Sequence, residues 1–269
     1  MDLLVGEPVR VRSGVQLQVC YRAGAQPAVV FLHGGLGNRF NLRAQYEFAV
    51  RQGWGAIAYD LAGHGQSSPY PRYSIGRHCR DLTRLLRHCD IYKPILFAHS
   101  YGVPIVLEWC QRHPVSGLVL VAGGTHDLDP WWEVPLMQGL AWGGRHLFRL
   151  PWMQRAIAQL SSEHSHPTLD RFTAESPLPV HAHPYDALRI FWAYNFFARR
   201  EGRWQLSYPA LIVSGGQDPM FTEAMGAALA QHFLAGRHLH IEQAGHLVMA
   251  EFPEVVNGAL AEFRRGAIV

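Results

Sequence analysis

The sequence predicts an α/β fold: a doubly wound, mostly parallel sheet with an inserted helical cap. Three observations carry that reading. Short, wholly apolar runs suited to strands covered on both faces recur along the chain, amphipathic helical patterns fill most of the gaps between them, and this alternation stops near residue 125 and resumes near 209. The expected division is a core of residues 1–124 and 209–269 with a cap of 125–208.

Residues 8–22 place Val9, Val11, Val15, Leu17 and Val19 between polar positions and break at Ser13-Gly14, the pattern of an antiparallel hairpin at the first edge of the sheet. The buried-strand runs follow at 28–32 (AVVFL), 55–59 (GAIAY), 95–98 (ILFA), 117–122 (GLVLVA) and 210–214 (ALIVS). Residues 41–52 put Leu42, Tyr46, Ala49 and Val50 on one helical face, and 78–89 do the same with Leu82, Leu85 and Leu86. Six of the eight tryptophans, Trp131, Trp132, Trp142, Trp152, Trp192 and, near the exit, Trp204, fall between 125 and 208, among apolar stretches broken by prolines. So much aromatic surface would not stay solvated in a disordered loop, hence the expectation of a folded cap.

With 48% hydrophobic residues, a chain of 269 residues can bury one large core. The formal net charge is only +3, Lys93 is the single lysine, and no basic run offers a footprint for nucleic acid. The start, MDLLVGEPVRVRSG, has no basic segment ahead of a long apolar run, so no secretory leader is expected, and no apolar segment approaches membrane-spanning length. Cys20, Cys79, Cys89 and Cys110 lack paired spacing, which argues against a disulfide framework or a zinc site and makes a reducing cytoplasm the expected location. Nothing in the sequence speaks to oligomeric state.

The chemistry concentrates at turns that follow strands. Ala98-His99-Ser100-Tyr101-Gly102 joins an apolar strand to the helical stretch 103–112. A serine on such a tight strand-to-helix turn projects its hydroxyl above the sheet, at a helix N-terminus that favours developing negative charge. Small residues are needed two positions to either side. Ala98 and Gly102 meet that need, although Ala98 departs from the G-x-S-x-G pattern. The turn His33-Gly34-Gly35-Leu36-Gly37 offers backbone N–H groups to an oxyanion and lacks the G-x-G-x-x-G spacing of a dinucleotide site. Two more loops, carrying Asp218 and His246, follow strand-like segments near the C-terminus, and open α/β sheets keep their sites at the carboxyl ends of strands.

These motifs, together with Asp60-Leu61-Ala62-Gly63-His64-Gly65-Gln66-Ser67, make the chain resemble the α/β-hydrolase superfamily, in particular its capped serine hydrolases, over nearly its whole length. The resemblance implies Ser100 as nucleophile, His246 as general base and Asp218 as the acid that orients it, in the family's chain order of serine, acid and histidine. It also implies an oxyanion hole of the Tyr101 and Gly35 N–H groups, with Leu36 the next candidate donor. Asp127, which follows the preceding core strand, is the rival acid. The D-x-x-G-x-G-x-S segment shapes the floor of the site, so His64 and Ser67 are expected to be structural, and His33 and His99 to hydrogen-bond loops.

A small-molecule substrate is expected, with Leu36, Trp131, Trp132 and Trp192 as candidate pocket residues. No cofactor and no metal are expected: the pairs His164/His166 and His181/His183 have no Cys or carboxylate at a recognisable ligand spacing. Hydrolysis of carboxylic esters with an apolar acyl or aryl part is the leading reading. The alternatives are carbon–carbon bond hydrolysis of ring-cleavage diketones and a non-catalytic binding protein on the same fold. Relatives that open epoxides or displace halide need a carboxylate at the nucleophile position, where this chain has Ser100.

Overall fold

The computed structural model describes residues 2–124, 167–179, 181–191 and 206–267, together with positions 135, 139, 142, 143, 146 and 150. Eight strands form one sheet: β1 (Glu7–Arg12), β2 (Val15–Arg22), β3 (Ala25–Leu32), β4 (Trp54–Tyr59), β5 (Ile95–His99), β6 (Gly117–Val121), β7 (Leu206–Gly215) and β8 (Phe233–Ile241). Their spatial order is β1-β2-β4-β3-β5-β6-β7-β8. The first hairpin pairs antiparallel and β2 pairs antiparallel with β4, whereas every other neighbouring pair is parallel. β7 starts at Leu206, which pairs with Phe233, so the core resumes before the expected boundary at 209.

The period-2 geometry of strands sends alternate side chains to opposite faces, and both faces are covered. Val30, Leu32, Leu96, Leu118, Leu120 and Ile212 join one buried cluster with α2 (Ile75–His88), α3 (Gly102–Cys110) and α6 (Glu223–Ala230). Val29, Phe31, Phe97, Val119, Val121 and Val213 join the other with α1 (Arg43–Arg51) and α8 (Pro253–Ala267). This explains why the core strands read as apolar runs rather than as alternating ones. Helix starts are set by side chains that accept otherwise orphaned N–H groups: Ser74 caps α2 and Thr222 caps α6. Two further helices, α4 (Pro167–Glu175) and α5 (His183–Phe191), lie in the long connection from β6 to β7, and the short α7 (Val248–Glu251) follows the His246 loop.

All four cysteines are free. No helix among the described residues is long and apolar enough to cross a membrane.

One buried ion pair ties the floor of the site to the 3-10 turn Arg39–Leu42. Asp60, wholly buried, accepts the Arg39 backbone N–H and its Nη1 at 2.7 Å each, and the Gln66 N–H at 2.9 Å. Burial pushes the Asp60 carboxyl above its ordinary range against the pull of Arg39 and these N–H bonds. Gly65, at φ +50°, is required beside it, because a Cβ there would lie 2.3 Å from Asp60 Oδ2. Removing the cation would leave a buried carboxylate unpaired, so Arg39→Met is expected to cost about 3–5 kcal/mol. The expected signature is a lower urea midpoint at unchanged slope. A loss within about 0.5 kcal/mol, the ordinary surface value, would show that the pair contributes nothing.

Candidate active site

The sheet places the candidate residues at the carboxyl ends of its parallel strands. Strand order reverses at β3, whose neighbours β4 and β5 lie on opposite sides, and this is where open α/β sheets form a crevice. The His33–Gly37 turn leaves β3 here, and Ser100 leaves β5 beside it.

Ser100 sits at φ +48°, its N–H donating to the Val121 carbonyl at 3.0 Å and its own carbonyl accepting from Val103 N–H at 2.9 Å. The turn is possible because Gly102 lacks a side chain: a Cβ there would approach the Leu32 carbonyl oxygen to 2.8 Å. Leu36 (φ +60°) and Ala122 (φ +45°) are also left-handed, so three of the five non-glycine residues with positive φ among the described residues lie in loops leaving β3, β5 and β6. Each such residue costs on the order of 1–3 kcal/mol, and strain of this kind collects where function requires a fixed geometry.

His246 follows β8, and its Nδ1 donates to Asp218 Oδ2 at 2.9 Å. The other Asp218 oxygen accepts the N–H groups of Met220 at 2.8 Å and Phe221 at 3.1 Å. Burial pushes the Asp218 carboxyl up, but the His246 bond and charge and the two backbone donors outweigh it and hold the acid below its ordinary range. The carboxylate therefore stays an acceptor, which keeps the proton of a neutral His246 on Nδ1 and leaves Nε2 free to take another. Asp127, the rival acid, lies outside the described residues, as do Trp131, Trp132, Trp192, His164 and His166.

No hydrogen bond joins Ser100 Oγ to His246 among the described residues, although the sequence leads one to expect that contact. Such bonds are often long until a substrate draws the groups together. Gly35 and Tyr101 are brought side by side, a Cβ at Gly35 lying 3.6 Å from Tyr101 Cβ. None of the hydrogen bonds among the described residues engages the N–H of Tyr101, Gly35 or Leu36, so the fold leaves these donors available.

His33 shows how that turn is held. Its Nε2 accepts from Leu61 N–H at 2.9 Å, so its proton is on Nδ1, which donates to the Gly34 carbonyl at 2.7 Å. That carbonyl and the Gly35 N–H belong to one planar peptide, so fixing the first fixes the direction of the second. Burial lowers the His33 pKa to about 4, which preserves the neutral form. His64 is buried against the His33 ring, and Ser67 Oγ donates to the Asp60 carbonyl at 2.6 Å and accepts from Gln18 N–H at 2.9 Å, both structural roles.

Sequence reasoning missed Leu188 of α5, whose Cδ1 would lie 2.7 Å from a Cβ on Gly35, so a side chain at that position would require Leu188 to shift. Phe191 of the same helix is buried, with its ring 5.7 Å from that of Tyr101. No sequence motif marks either residue, because their partners lie on loops far away in the chain. A cavity of about 550 Å³ opens beside Leu36, between Gly63, Ser67, Leu178 and the two histidines His181 and His183. Among the described residues no group of three potential ligands could hold a metal ion.

A sequence profile of the family described as alpha/beta hydrolase fold matches residues 27–253. Protein ABHD8 of Bos taurus is 26% identical over 263 residues, covering 91% of this chain and 57% of that protein. Bifunctional epoxide hydrolase 2 of Sus scrofa is 21% identical over 301 residues, covering 95% of this chain and 54% of that protein. The chain thus spans a little over half the length of these curated relatives. Among solved structures, a thermophilic esterase from Thermogutta terrifontis with malate bound superposes with a TM-score of 0.78 at 21% identity, covering 94% of each chain. That likeness establishes a common fold.

Proposed function

The chain belongs to the alpha/beta hydrolase fold family, and from that premise we propose that it is a serine hydrolase of carboxylic esters with an apolar acyl or aryl part. The observation that carries this reading is the Asp218–His246 bond, which leaves a basic ring nitrogen in the loop beside the strained Ser100 turn. Ser100 Oγ attacks the ester carbonyl carbon, His246 Nε2 takes the hydroxyl proton, and Asp218 stabilises the imidazolium. The N–H groups of Tyr101 and Gly35, with Leu36 next to them, receive the oxyanion, and each such donor contributes on the order of 3 kcal/mol to lowering the barrier. His246 then returns the proton to the departing alcohol, and water releases the acyl group by the same steps in reverse.

The long connection from β6 to β7 serves in this reading as a cap, supported by the seating of Leu188 against the Gly35 turn and of Phe191 against Tyr101. Epoxide opening, named for one relative, does not carry over, because the nucleophile position holds Ser100 and not a carboxylate.

The test is a panel of p-nitrophenyl esters of increasing acyl length run beside a ring-cleavage diketone, with a fluorophosphonate probe mapped by peptide mass. Ester turnover with labelling at Ser100 is the expected result. Turnover of the diketone alone would replace the ester reading with carbon–carbon bond hydrolysis, and labelling elsewhere would remove Ser100 as nucleophile.

A further inference from the structure

We propose that His99 is a positioning residue for this reaction: it ties the strand that carries the nucleophile to the loop that carries the base, and so sets the reach between Ser100 and His246. The proposal rests on the assignment of those two residues as nucleophile and base.

His99 is the last residue of β5, buried, and adjacent to Ser100 in the chain. Its Nε2 lies 3.1 Å from the backbone carbonyl oxygen of His246, across 147 positions of sequence, and the two imidazole rings are 5.0 Å apart. A carbonyl can only accept, so the His99 proton is on Nε2 and Nδ1 is a bare acceptor. That Nδ1 is buried and has no hydrogen-bond partner among the described residues. It faces the Gly34 turn, where a Cβ would come within 2.6 Å of it. A buried acceptor without a partner is costly, and a position needed only for packing would be better filled by an apolar side chain. What the imidazole supplies in return is the donor on its other nitrogen.

Besides the Asp218 bond to His246 and the Gln217 N–H on the Ala244 carbonyl at 2.8 Å, the base loop is anchored by Glu251. The Glu251 carboxylate accepts the Gly245 N–H at 2.7 Å and the Leu247 N–H at 3.1 Å, one on each side of His246. Both Glu251 bonds refer the loop to α7, which follows it directly in the chain. Of all these bonds, only that from His99 refers the base to the nucleophile strand. Burial holds the His99 pKa down to about 3, so the donor and its tautomer persist at any pH at which the base is active.

Two variants separate positioning from packing. His99→Phe keeps an aromatic ring and removes the donor, whereas His99→Gln keeps a side-chain N–H near the place of Nε2. His99→Phe is expected to lower kcat on a p-nitrophenyl ester by about 10- to 100-fold with KM within about twofold, the size of effect that small misplacements of reacting groups produce. The rate of Ser100 phosphonylation should fall in parallel. His99→Gln should recover most of both. Equal kcat in all three proteins would overturn the proposal, and so would equal losses in the Phe and Gln variants, since the donor would then be irrelevant.

Should the Phe variant fail to fold, nitrogen-15 NMR of the histidine rings in the unaltered protein tests the same point. A neutral Nε2–H tautomer for His99 is expected, and an Nδ1–H tautomer would overturn the proposal. If the unaltered protein takes no label at Ser100, the nucleophile assignment falls and this proposal falls with it. Normal labelling with unchanged kinetics in His99→Phe defeats the proposal alone.

Discussion

Ser100→Ala is expected to abolish ester hydrolysis while leaving the stability of the protein almost unchanged. In a serine triad the nucleophile and base act as a unit, and losing either one removes on the order of 10⁴–10⁶ in turnover. Stability should not follow. Ser100 Oγ makes no hydrogen bond among the described residues, and alanine meets the same backbone strain at φ +48° that serine already bears. The change should therefore stay within about 0.5 kcal/mol, as for surface substitutions. Turnover measured under excess substrate and a urea melt read on one preparation separate the two effects. Substantial residual esterase activity in that variant would defeat the mechanism, and a collapse of the melt would show that the hydroxyl has a structural role instead.

Acid lability is the second large effect expected, and it comes from four buried histidines. Burial lowers the pKa of His33 to about 4, of His64 to about 3 and of His99 to about 3, and places His78 well below the ordinary value. In the unfolded chain each would titrate near roughly 6.5. Between the two values the unfolded state holds more protons than the folded one, so stability rises with pH there and is lost as pH falls. Above about pH 7 none of the four contributes any slope. Below about pH 6 each contributes up to about 1.4 kcal/mol per pH unit, so two units of acidification can consume most of an ordinary folding stability of about 5–15 kcal/mol.

Asp60 and Asp81 oppose this trend, because burial raises their pKa values and lets the folded state take up protons early. Asp218, held low, works with the histidines once its own pKa range is reached. Urea melts from pH 7.5 to 4.5 should show a flat plateau and then a steep fall. His78→Gln, which can keep a hydrogen bond to the Tyr101 hydroxyl that now lies 3.0 Å from His78 Nε2, should flatten the fall by about one proton. Stability that stays level down to pH 4.5 would mean that these imidazoles are not held neutral by the fold.

Much of this architecture was legible from local chemistry. A wholly apolar run such as Ile95–Ala98 marks a strand buried on both faces whichever strands lie beside it, and Ser13-Gly14 marks a hairpin turn by its own backbone preferences. The elbow at Ser100 was legible for the same reason, since the small residues Ala98 and Gly102 must flank it within two positions. The order of Ser100, Asp218 and His246 on loops after strands was likewise readable along the chain.

The tertiary structure decided which groups meet. Asp218 reaches Nδ1 of His246 because β7 and β8 pair in register and bring their carboxyl-end loops together, a fact of strand pairing that no window of sequence contains. The tautomers of His33 and His99 depend on Leu61 and on the His246 carbonyl, 28 and 147 positions away. Leu188 and Phe191 reach the Gly35 turn and Tyr101 only through a helix placed by the fold. Periodicity and turn propensity act over a few residues, so they determined the elements and the loops that bear chemistry. Hydrogen-bond partners, protonation states and the approach of one loop to another depend on contacts between segments distant in sequence, which exist only once the sheet has assembled.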